Sequence, residues 1–294
     1  MGKLGKKPTL MIITQFKGRI GNQLFQYAAA KKFAIDGETD LKFDMSNYER
    51  GPGYVLDYFH IPQNIATEKE INKFKGKKLS SYFDKFLPHY KRKLVHERNG
   101  RFDKKLVGLK RKDMYVRGYF QSEKYFKPIE NIIRQEFKLK KIDEEKLSPF
   151  LSPIHKSNSV SLHIRRTDFL SDKHKKIYEQ IQLDYYDKAI GKIGETNNKL
   201  NLFIFSDDIE WVKENLKIPP GIQTYFVSGN GLADLEEFFL MSQCRHNITA
   251  NSTFSWWAAW LNEYPNKIVI TPKKWFVEEN MGEADLIPPE WIKI

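Results

Sequence analysis

Two adjacent arginines follow a short apolar run near the middle of the chain. The run covers residues 160–164, and Arg165, Arg166, Thr167 and Asp168 come directly after it. An apolar run of this length between polar residues is typical of a buried strand in a parallel sheet. Open α/β sheets bind ligands at the carboxyl ends of their strands, where two guanidiniums can hold a phosphate or diphosphate. A local salt bridge is the alternative for this pair, because structural ion pairs are common.

Two more polar clusters follow predicted strands in the second half of the chain. They comprise Ser206, Asp207 and Asp208, and Asn251, Ser252, Thr253, Phe254 and Ser255. If the second half is one parallel sheet, both clusters share a rim with His163 and the arginines. Hydroxyls and N–H groups at a helix start would take phosphate oxygens, and an aspartate would accept from a ribose hydroxyl or a purine N–H. This arrangement predicts a nucleotide site, with capping of the helix from Ile209 as the alternative for each aspartate.

A glycine-containing loop follows the first predicted strand, residues 10–13. It consists of Gly18, Arg19, Ile20, Gly21, Asn22 and Gln23, and it leads into a predicted helix over 23–35. Its two glycines permit a tight turn and the close approach of a ligand to the backbone. A strand, turn and helix in this order present N–H groups at the helix N-terminus. Asn22 and Gln23 are candidate polar ligands, and the alternatives are a simple tight turn and a helix N-cap.

The elements that would position these residues alternate regularly after residue 159. Strands are predicted at 160–164, 202–205, 225–227, 247–250 and 268–270, with helices at 184–193, 209–216, 232–243 and 252–261. This alternation indicates an α/β fold with a doubly wound parallel sheet. In the first half we predict strands at 41–44 and 114–118, and residues 119–122 lead into a predicted helix that runs through about residue 138. Trp256, Trp257 and Trp260 are predicted core residues.

The domain boundary is predicted in the polar segment 140–158, which contains Pro149 and Pro153. It separates an N-terminal domain, residues 1–150, from a C-terminal domain, residues 151–294. The chain of 294 residues is 40% hydrophobic and 29% charged, an ordinary composition for a globular protein of that size. No run approaches the roughly 18 apolar residues of a membrane span, and the single cysteine fits a reducing compartment. We therefore expect a cytoplasmic protein.

The net charge of +12 is concentrated in one segment. Residues 69–112 contain 16 Lys or Arg against 4 Asp or Glu, and breaks at glycines and a proline predict several short helices there. The segment could be a solvated face, a patch for anionic lipid or a patch for nucleic acid. A metal is not expected, because the sequence has no Asp-x-Asp dyad, cysteine cluster or His-x-x-x-His pair.

Five blocks in sequence order carry a resemblance to a known family. They are residues 18–28 (GRIGNQLFQYA), 118–126 (GYFQSEKYF), 163–168 (HIRRTD), 205–208 (FSDD) and 251–257 (NSTFSWW). Together they resemble the alpha-1,2-fucosyltransferases, glycosyltransferase family 11, from Gly18 to about Trp275. The resemblance implies a GT-B-type fold, with two Rossmann-like domains facing a central cleft. It implies GDP-fucose as the donor on the C-terminal domain, and an acceptor-side N-terminal domain with the basic insert at about 69–112.

The resemblance also implies an inverting transfer of fucose to O2 of a galactose, with no cofactor and no metal. Arg165 resembles the arginine that holds the donor diphosphate, with Arg166 beside it. His163 and Asp208 resemble residues near the guanine and ribose, with Asp207 adjacent, and residues 251–254 resemble the phosphate-side loop. Gly18, Arg19, Gly21, Asn22 and Gln23 resemble the loop that closes over the reacting bond. Asp168 is the candidate general base, and Asn22 is placed with Arg165 and Asp168 among the catalytic candidates.

Two alternatives stay open at this point. One is a fucosyltransferase of another linkage, and the other is a non-catalytic basic protein that binds nucleotides or glycans. For the enzyme we expect GDP-fucose and a galactose-containing glycan as partners, and no nucleic acid. A lipid-linked acceptor and a peripheral contact of residues 69–112 with the inner membrane face are hypotheses drawn from the basic segment. The oligomeric state is left open.

Overall fold

The computed structural model describes residues 10–48, 53–75, 86–98, 100–167, 175–197, 199–278 and 283–294. The candidate base Asp168 therefore lies outside the described residues. Internal contacts divide the chain into two compact units. The first is Met1–Leu139 with Ala284–Leu286, and the second is Lys140–Glu283 with Ile287–Ile294. Each unit contains its own parallel sheet.

The sheet of the first unit has the strand order β2-β1-β4-β3, with all pairs parallel. Its strands are β1 (Met11–Gln15), β2 (Asp40–Asp44), β3 (Leu94–His96) and β4 (Met114–Arg117). Its helices are α1 (Ile20–Gly37), α2 (Glu68–Lys75) and α3 (Glu130–Glu136). The chain leaves β1 towards β2 on one side, whereas β4 and β3 lie on the other. The strand order therefore reverses between β1 and β4, which makes this the switch point of the sheet.

Two predictions for the first unit are corrected by the structure. The basic segment holds α2 and a 3₁₀ turn at His89–Lys91 in its described part, but it also supplies the strand β3, which was not predicted. The helix predicted after residues 119–122 and through about 138 is instead two 3₁₀ turns, Glu123–Tyr125 and Lys127–Ile129, followed by α3. Pro128 explains the break, because proline lacks an N–H and fits only the first turn of a helix.

The sheet of the second unit has the order β10-β9-β8-β5-β6-β7, again with all pairs parallel. Its strands are β5 (Asn158–Ile164), β6 (Leu200–Ser206), β7 (Gln223–Phe226), β8 (His246–Ile248), β9 (Val269–Thr271) and β10 (Ile292–Lys293). Its helices are α4 (Glu144–Lys156), α5 (Leu183–Gly194), α6 (Ile209–Asn215), α7 (Asp234–Gln243) and α8 (Thr253–Leu261). A further short helix, α9 (Glu283–Leu286), has three of its residues, Ala284–Leu286, in the first unit. The chain runs outward from β5 to β7, returns to β8 beside β5, and runs outward again to β10. This confirms the predicted doubly wound parallel sheet, with its switch point between β5 and β8.

The polar segment 140–158, in which the domain boundary was predicted, is mostly helical. Asp143 caps α4 by accepting from the N–H of Lys146 at 3.0 Å, and both Pro149 and Pro153 lie inside the helix. Proline at 149 removes the N–H that would pair with the carbonyl of Glu145, but the Ser148 hydroxyl donates to that carbonyl at 2.8 Å. The local side chain thus replaces the lost backbone bond.

Alternate residues of β5 make one face apolar and the other polar, and both faces are buried. Val160, Leu162 and Ile164 belong to the hydrophobic core. On the polar face, the hydroxyl of Ser159 accepts from the N–H of Arg245 at 3.1 Å, and the hydroxyl of Ser161 accepts from Asn247 Nδ2 at 2.7 Å. These bonds fix the register of β5 against β8 and so position the residues that follow both strands. The three tryptophans of α8 are 0–2% exposed, which confirms their predicted place in the core.

Candidate functional site

The two arginines after β5 and the two aspartates after β6 form ion pairs with each other. Arg165 Nε lies 3.3 Å from Asp207 Oδ2, and Arg166 Nε lies 3.2 Å from Asp208 Oδ2. The side chains are 15–32% exposed, so both pairs sit at a partly open edge of the sheet. The local salt bridge considered for the arginine pair is therefore present. It brings two of the three predicted polar clusters together.

Asp207 holds the backbone of the segment after β5. Its Oδ1 accepts from the Arg166 N–H at 2.8 Å, and its Oδ2 accepts from the Thr167 N–H at 3.1 Å and the Thr167 hydroxyl at 2.5 Å. Hydrogen bonds to a carboxylate are about twice as strong as those between neutral groups. Asp208 is the N-cap residue of α6, but its side chain makes no capping bond. The capping alternative for its side chain is therefore wrong.

The Arg166 guanidinium is held on two sides. Its central carbon lies 3.5 Å from the centroid of the Trp211 ring, and its Nε contacts Asp208. A guanidinium over an indole face is attracted by the ring quadrupole. Arg166 is thus fixed by contacts from α6 and the residue before it, which orients the segment that also carries Arg165.

His163 and the start of α8 meet at the switch point between β5 and β8. The histidine is 3% exposed, and its Nδ1 lies 2.9 Å from the Ser255 hydroxyl. Its ring centroid is 5.7 Å from that of Phe254. Ser252 is the N-cap residue of α8 and accepts from the Phe254 N–H at 3.4 Å. The N-terminus of α8, which carries partial positive charge, therefore abuts the carboxyl end of β5.

Asn251 acts as a cross-link within the second unit. Its side chain is buried, and Nδ2 donates to the carbonyls of Glu179 at 2.8 Å and Trp275 at 3.0 Å. A primary amide has two N–H donors, and both are used here. Asn251 thus ties the loop before α8 to two other segments of the chain, while Ser252, Thr253 and Phe254 beside it are half-buried.

The glycine-containing segment of the first unit is shorter than predicted as a loop. Helix α1 begins at Ile20 with Arg19 as its N-cap residue, so Gly21, Asn22 and Gln23 lie in its first turn. The N-cap alternative for Asn22 is therefore wrong. Gly18 has φ +81°, and a Cβ on it would lie 2.6 Å from Asn22 Nδ2. Glycine is required there for both its backbone conformation and the close approach of the Asn22 amide.

Two glutamines of α1 hold this turn from inside the protein. Gln23 Nε2 donates to the carbonyls of Gly18 at 3.1 Å and Gly53 at 3.2 Å, and its Oε1 accepts from the Val55 N–H at 3.0 Å. Gln26 exchanges hydrogen bonds with the N–H and carbonyl of Lys17, at 3.0 and 3.2 Å. Both glutamines are fully buried. Gln23, a predicted ligand, is thus a structural residue, and Gln26 was not singled out by the sequence.

The segment after β4 contributes residues that the sequence-based site omitted. Gln121 Nε2 donates to Asn22 Oδ1 at 2.8 Å. The Glu97 carboxylate accepts from the N–H groups of Tyr119 at 2.6 Å and Phe120 at 2.8 Å. Burial raises the pKa of Glu97, against the lowering effect of these two N–H groups and of Lys17. The one sequence feature that pointed to Gln121 was the block 118–126, which is part of the family resemblance but to which no role was assigned.

A half-buried carboxyl is linked through Ser228 to the end of β6 in the second unit. The Ser228 hydroxyl donates to Glu237 Oε2 at 2.8 Å and accepts from the Ser206 N–H at 2.9 Å. Burial raises the pKa of Glu237 to about 7, with Asp234 adding to the effect and the bond from Ser228 opposing it. The protonation of Glu237 therefore changes near neutral pH, next to the end of β6.

The basic segment 69–112 is partly neutralised within the first unit. Lys73 pairs with Asp113 at 2.6 Å, and Lys75 pairs with Asp44 at 2.7 Å. Across the described ranges, no three His, Cys, Asp or Glu side chains are grouped so that they could hold a metal ion. In the same part of the chain, none of the helices combines the length and apolar character needed to cross a membrane.

Two solved structures share the architecture of this chain. Fucosyltransferase NodZ from Bradyrhizobium aligns with a TM-score of 0.50 at 14% identity, over 86% of this chain and 93% of NodZ. Arabidopsis thaliana FUT1, solved in complex with GDP, aligns with a TM-score of 0.55 at 12% identity, over 95% of this chain and 75% of FUT1. The two parallel α/β units thus form a GT-B fold of two Rossmann-like domains, as predicted. Their arrangement around a cleft stays a prediction.

The family model of Glycosyl transferase family 11 matches residues 9–294, and the chain belongs to this family. An alpha-1,2-colitosyltransferase of Escherichia coli is 32% identical over 97% of this chain and 99% of its own length. The O-antigen biosynthesis glycosyltransferase WbnK of Escherichia coli is 30% identical over 94% of this chain and 98% of its own length. The mouse galactoside alpha-(1,2)-fucosyltransferase 2 is 27% identical over 59% of this chain and 56% of its own length. The resemblance to family 11 is confirmed.

Proposed function

We propose that this protein transfers L-fucose from GDP-fucose to O2 of a terminal galactose in a glycan, with inversion and without a metal. The observation that carries the proposal is the rim at the β5/β8 switch point. Arg165 and Arg166 are held there by Asp207 and Asp208, and the N-terminus of α8 abuts the same strand end. Two cations and a helix N-terminus are suited to a diphosphate. Family 11 membership and the relative named as an alpha-(1,2)-fucosyltransferase support the sugar and the linkage.

The proposed reaction is a single displacement at the anomeric carbon of fucose. The bond from that carbon to the diphosphate oxygen breaks while the bond to the acceptor oxygen forms, and the acceptor proton passes to a carboxylate. Arg165 stabilises the charge that develops on the departing GDP, a contribution of about 3 kcal/mol for one well-placed donor. Asp168 is the candidate base, and its role is a proposal from sequence alone. Asp208 and His163 would contact the ribose and guanine.

A second candidate sugar is colitose, a dideoxy relative of fucose. It is favoured by the 32% identity to the colitosyltransferase over almost the whole of both chains. The test is a screen of GDP-fucose and GDP-colitose against a panel of galactosides, with the linkage of each product determined by NMR. Transfer of fucose to O2 supports the proposal. Use of GDP-colitose alone, or a linkage other than 1,2, overturns the donor or the linkage, and no GDP release with either donor favours a binding protein.

We also propose that the protein works in the cytoplasm, in peripheral contact with the inner membrane face through residues 69–112. The support is the excess of 16 Lys or Arg over 4 Asp or Glu in that segment, since clustered cations are attracted to anionic lipid. A lipid-linked acceptor would be consistent with such a position. Sedimentation with vesicles of neutral lipid, with and without anionic lipid, tests the contact. Equal binding to both vesicle types would contradict it.

A further inference from the structure

We propose that Gln121 binds the acceptor sugar, with its side-chain oxygen accepting a hydrogen bond from an acceptor hydroxyl and its side-chain nitrogen orienting Asn22. This inference deepens the proposed function and rests on it, because it takes the first unit as the acceptor side. Gln121 is not among the site residues predicted from the sequence, and it is not part of the arginine rim, which we define as Arg165 and Arg166 with Asp207 and Asp208. The proposal stands on the hydrogen bonding, the position in the sheet and the backbone of the segment that carries this residue.

The hydrogen bonding of Gln121 defines which end of its amide is available. Nε2 donates to Asn22 Oδ1 at 2.8 Å, so the nitrogen is directed at Asn22 and the oxygen points in a different direction within the amide plane. Among the residues that the structure describes, no N–H or O–H group donates to Gln121 Oε1. The side chain is half-buried. A half-buried carbonyl oxygen without a donor is suited to a ligand that brings one, and every sugar hydroxyl does.

The pair Asn22–Gln121 lies at the switch point of the first sheet. Asn22 follows β1 and Gln121 follows β4, and these two strands are neighbours where the strand order reverses. In open α/β sheets, ligands bind beyond the carboxyl ends of the strands at this point. The contact between His163 and Ser255 occupies the same place in the second sheet. Each unit thus has a polar contact between side chains at the position where open α/β sheets bind ligands.

The backbone that carries Gln121 is held in a costly conformation. Phe120 has φ +52°, a conformation that costs a non-glycine residue about 1 kcal/mol or more. Glu97 fixes this turn by accepting from the N–H groups of both Tyr119 and Phe120. A Cβ on Gly118 would lie 2.3 Å from Cβ of Glu97, so only glycine allows this approach. A strained backbone that is maintained by its surroundings is typical of functional sites. Here the strained residue Phe120 directly precedes Gln121 and so determines the direction in which Gln121 leaves the backbone.

The test compares three variants in the full-length protein. Gln121→Leu removes both ends of the amide, and Gln121→Glu keeps an acceptor oxygen but removes the N–H that reaches Asn22. Tyr48→Phe is the matched control, because it deletes a bond of 2.9 Å from the Tyr48 hydroxyl to the Gly18 carbonyl in the same turn. For each variant we would measure the acceptor KM, kcat, the Kd for GDP and thermal unfolding. The donor is whichever nucleotide sugar the wild type uses, so a wild type that prefers GDP-colitose refutes the fucose proposal alone.

We expect Gln121→Leu to raise the acceptor KM by about tenfold or more, since a hydrogen bond lost from a binding site is worth roughly that factor. Gln121→Glu should retain part of the acceptor binding but lower kcat, and Tyr48→Phe should leave the acceptor KM within about twofold of the wild type. The Kd for GDP should be unchanged in all three variants. An acceptor KM of Gln121→Leu within twofold of the wild type would overturn the proposal.

Deoxygenated acceptors provide a second measurement that a purely structural role would not affect. One of the 3-, 4- or 6-deoxygalactosides should bind the wild type about tenfold less well, because it lacks the hydroxyl that donates to Gln121. Gln121→Leu should bind this analogue and its parent equally. If Gln121→Leu still distinguishes every analogue from the parent as the wild type does, Gln121 does not contact the acceptor.

Discussion

Replacement of Asp207 by asparagine should disrupt the arginine rim without removing an arginine. The carboxylate accepts from the Arg166 N–H, from the Thr167 N–H and hydroxyl, and it pairs with Arg165 Nε. Asparagine retains one oxygen, which can serve the three contacts of Oδ2. Its NH₂ group would then face the Arg166 N–H at the place of Oδ1, and the charge opposite Arg165 is lost. One hydrogen bond to a charged group is worth about 1.5–3 kcal/mol, so we expect Asp207→Asn to lower the unfolding free energy by about 2–3 kcal/mol.

The same change should also weaken donor binding and turnover. Arg165 would lose the ion pair that orients it, and the segment through Thr167 would lose its anchor. If Arg165 stabilises the departing diphosphate by about 3 kcal/mol, misplacing it should lower kcat/KM by about 100-fold. The nucleotide should bind less tightly as well, because Arg165 would also contact the diphosphate of bound GDP.

Asp208→Asn is the matched control for Asp207→Asn. Asp208 makes one ion pair, its side chain is 32% exposed, and Arg166 would remain stacked on Trp211. An ion pair at a surface contributes about 1 kcal/mol or less, so the stability of Asp208→Asn should stay close to that of the wild type. Urea unfolding measures the stability of both variants, and calorimetric titration with GDP measures the loss of affinity in Asp207→Asn. If the two variants are equal in unfolding free energy, Asp207 is not the anchor of this segment.

Three further outcomes are expected. Arg165→Ala should lower turnover by about 100-fold or more while circular dichroism stays like that of the wild type, and near-normal turnover would remove Arg165 from the proposed mechanism. Gly18→Ala should lower acceptor-dependent turnover and destabilise the protein by about 1–2 kcal/mol, because a Cβ at φ +81° meets the Asn22 amide; unchanged kinetics and stability would contradict this. In the folded protein the pKa of Glu237 is raised from 4.5 to about 7. The free energy of unfolding therefore falls as the pH rises from about 4.5 to about 7, because the unfolded chain loses this proton first. Glu237→Gln should therefore match the wild type at pH 4 and exceed it by up to about 3 kcal/mol at pH 8 in urea unfolding, and equal stability at pH 8 would refute the shift.

The sequence predicted the parts of the fold that have a local signal. The apolar run of β5 and the alternation of strands and helices after it are such signals, and they gave the doubly wound sheet. Strand β3 has only the residues Leu94–His96 inside a basic segment, so its pairing with β4 is decided by tertiary contacts that no local pattern records. Helix α4 was missed because its two prolines suggested a domain boundary, whereas the Ser148 hydroxyl replaces one of the missing hydrogen bonds.

Several residues of the candidate site could be predicted from the sequence, but the contacts that each side chain makes could not. The residue types and the positions of the strand ends were enough to predict that the arginines and aspartates lie at one edge of the sheet. Whether a carboxylate faces a ligand or holds the backbone depends on distances between residues about 40 positions apart, as between Asp207 and Thr167. The amide of Gln23 illustrates the same limit, because its partners Gly53 and Val55 belong to another segment. Pattern alone made Gln23 a ligand, and its contacts make it a structural residue.

The saturation of each amide gives a physical criterion for separating binding residues from structural ones. Asn251 uses both N–H donors on backbone carbonyls, and Gln23 uses both ends of its amide on backbone groups. Substituting either residue should therefore lower stability first and affect ligand binding only through the backbone they hold. Gln121 has its nitrogen committed to Asn22 and an oxygen to which no described residue donates. An amide with one end that receives no hydrogen bond from a described residue, beyond a switch point, gains more from a ligand than a saturated amide does. For that reason we propose Gln121 rather than Gln23 as an acceptor-binding residue.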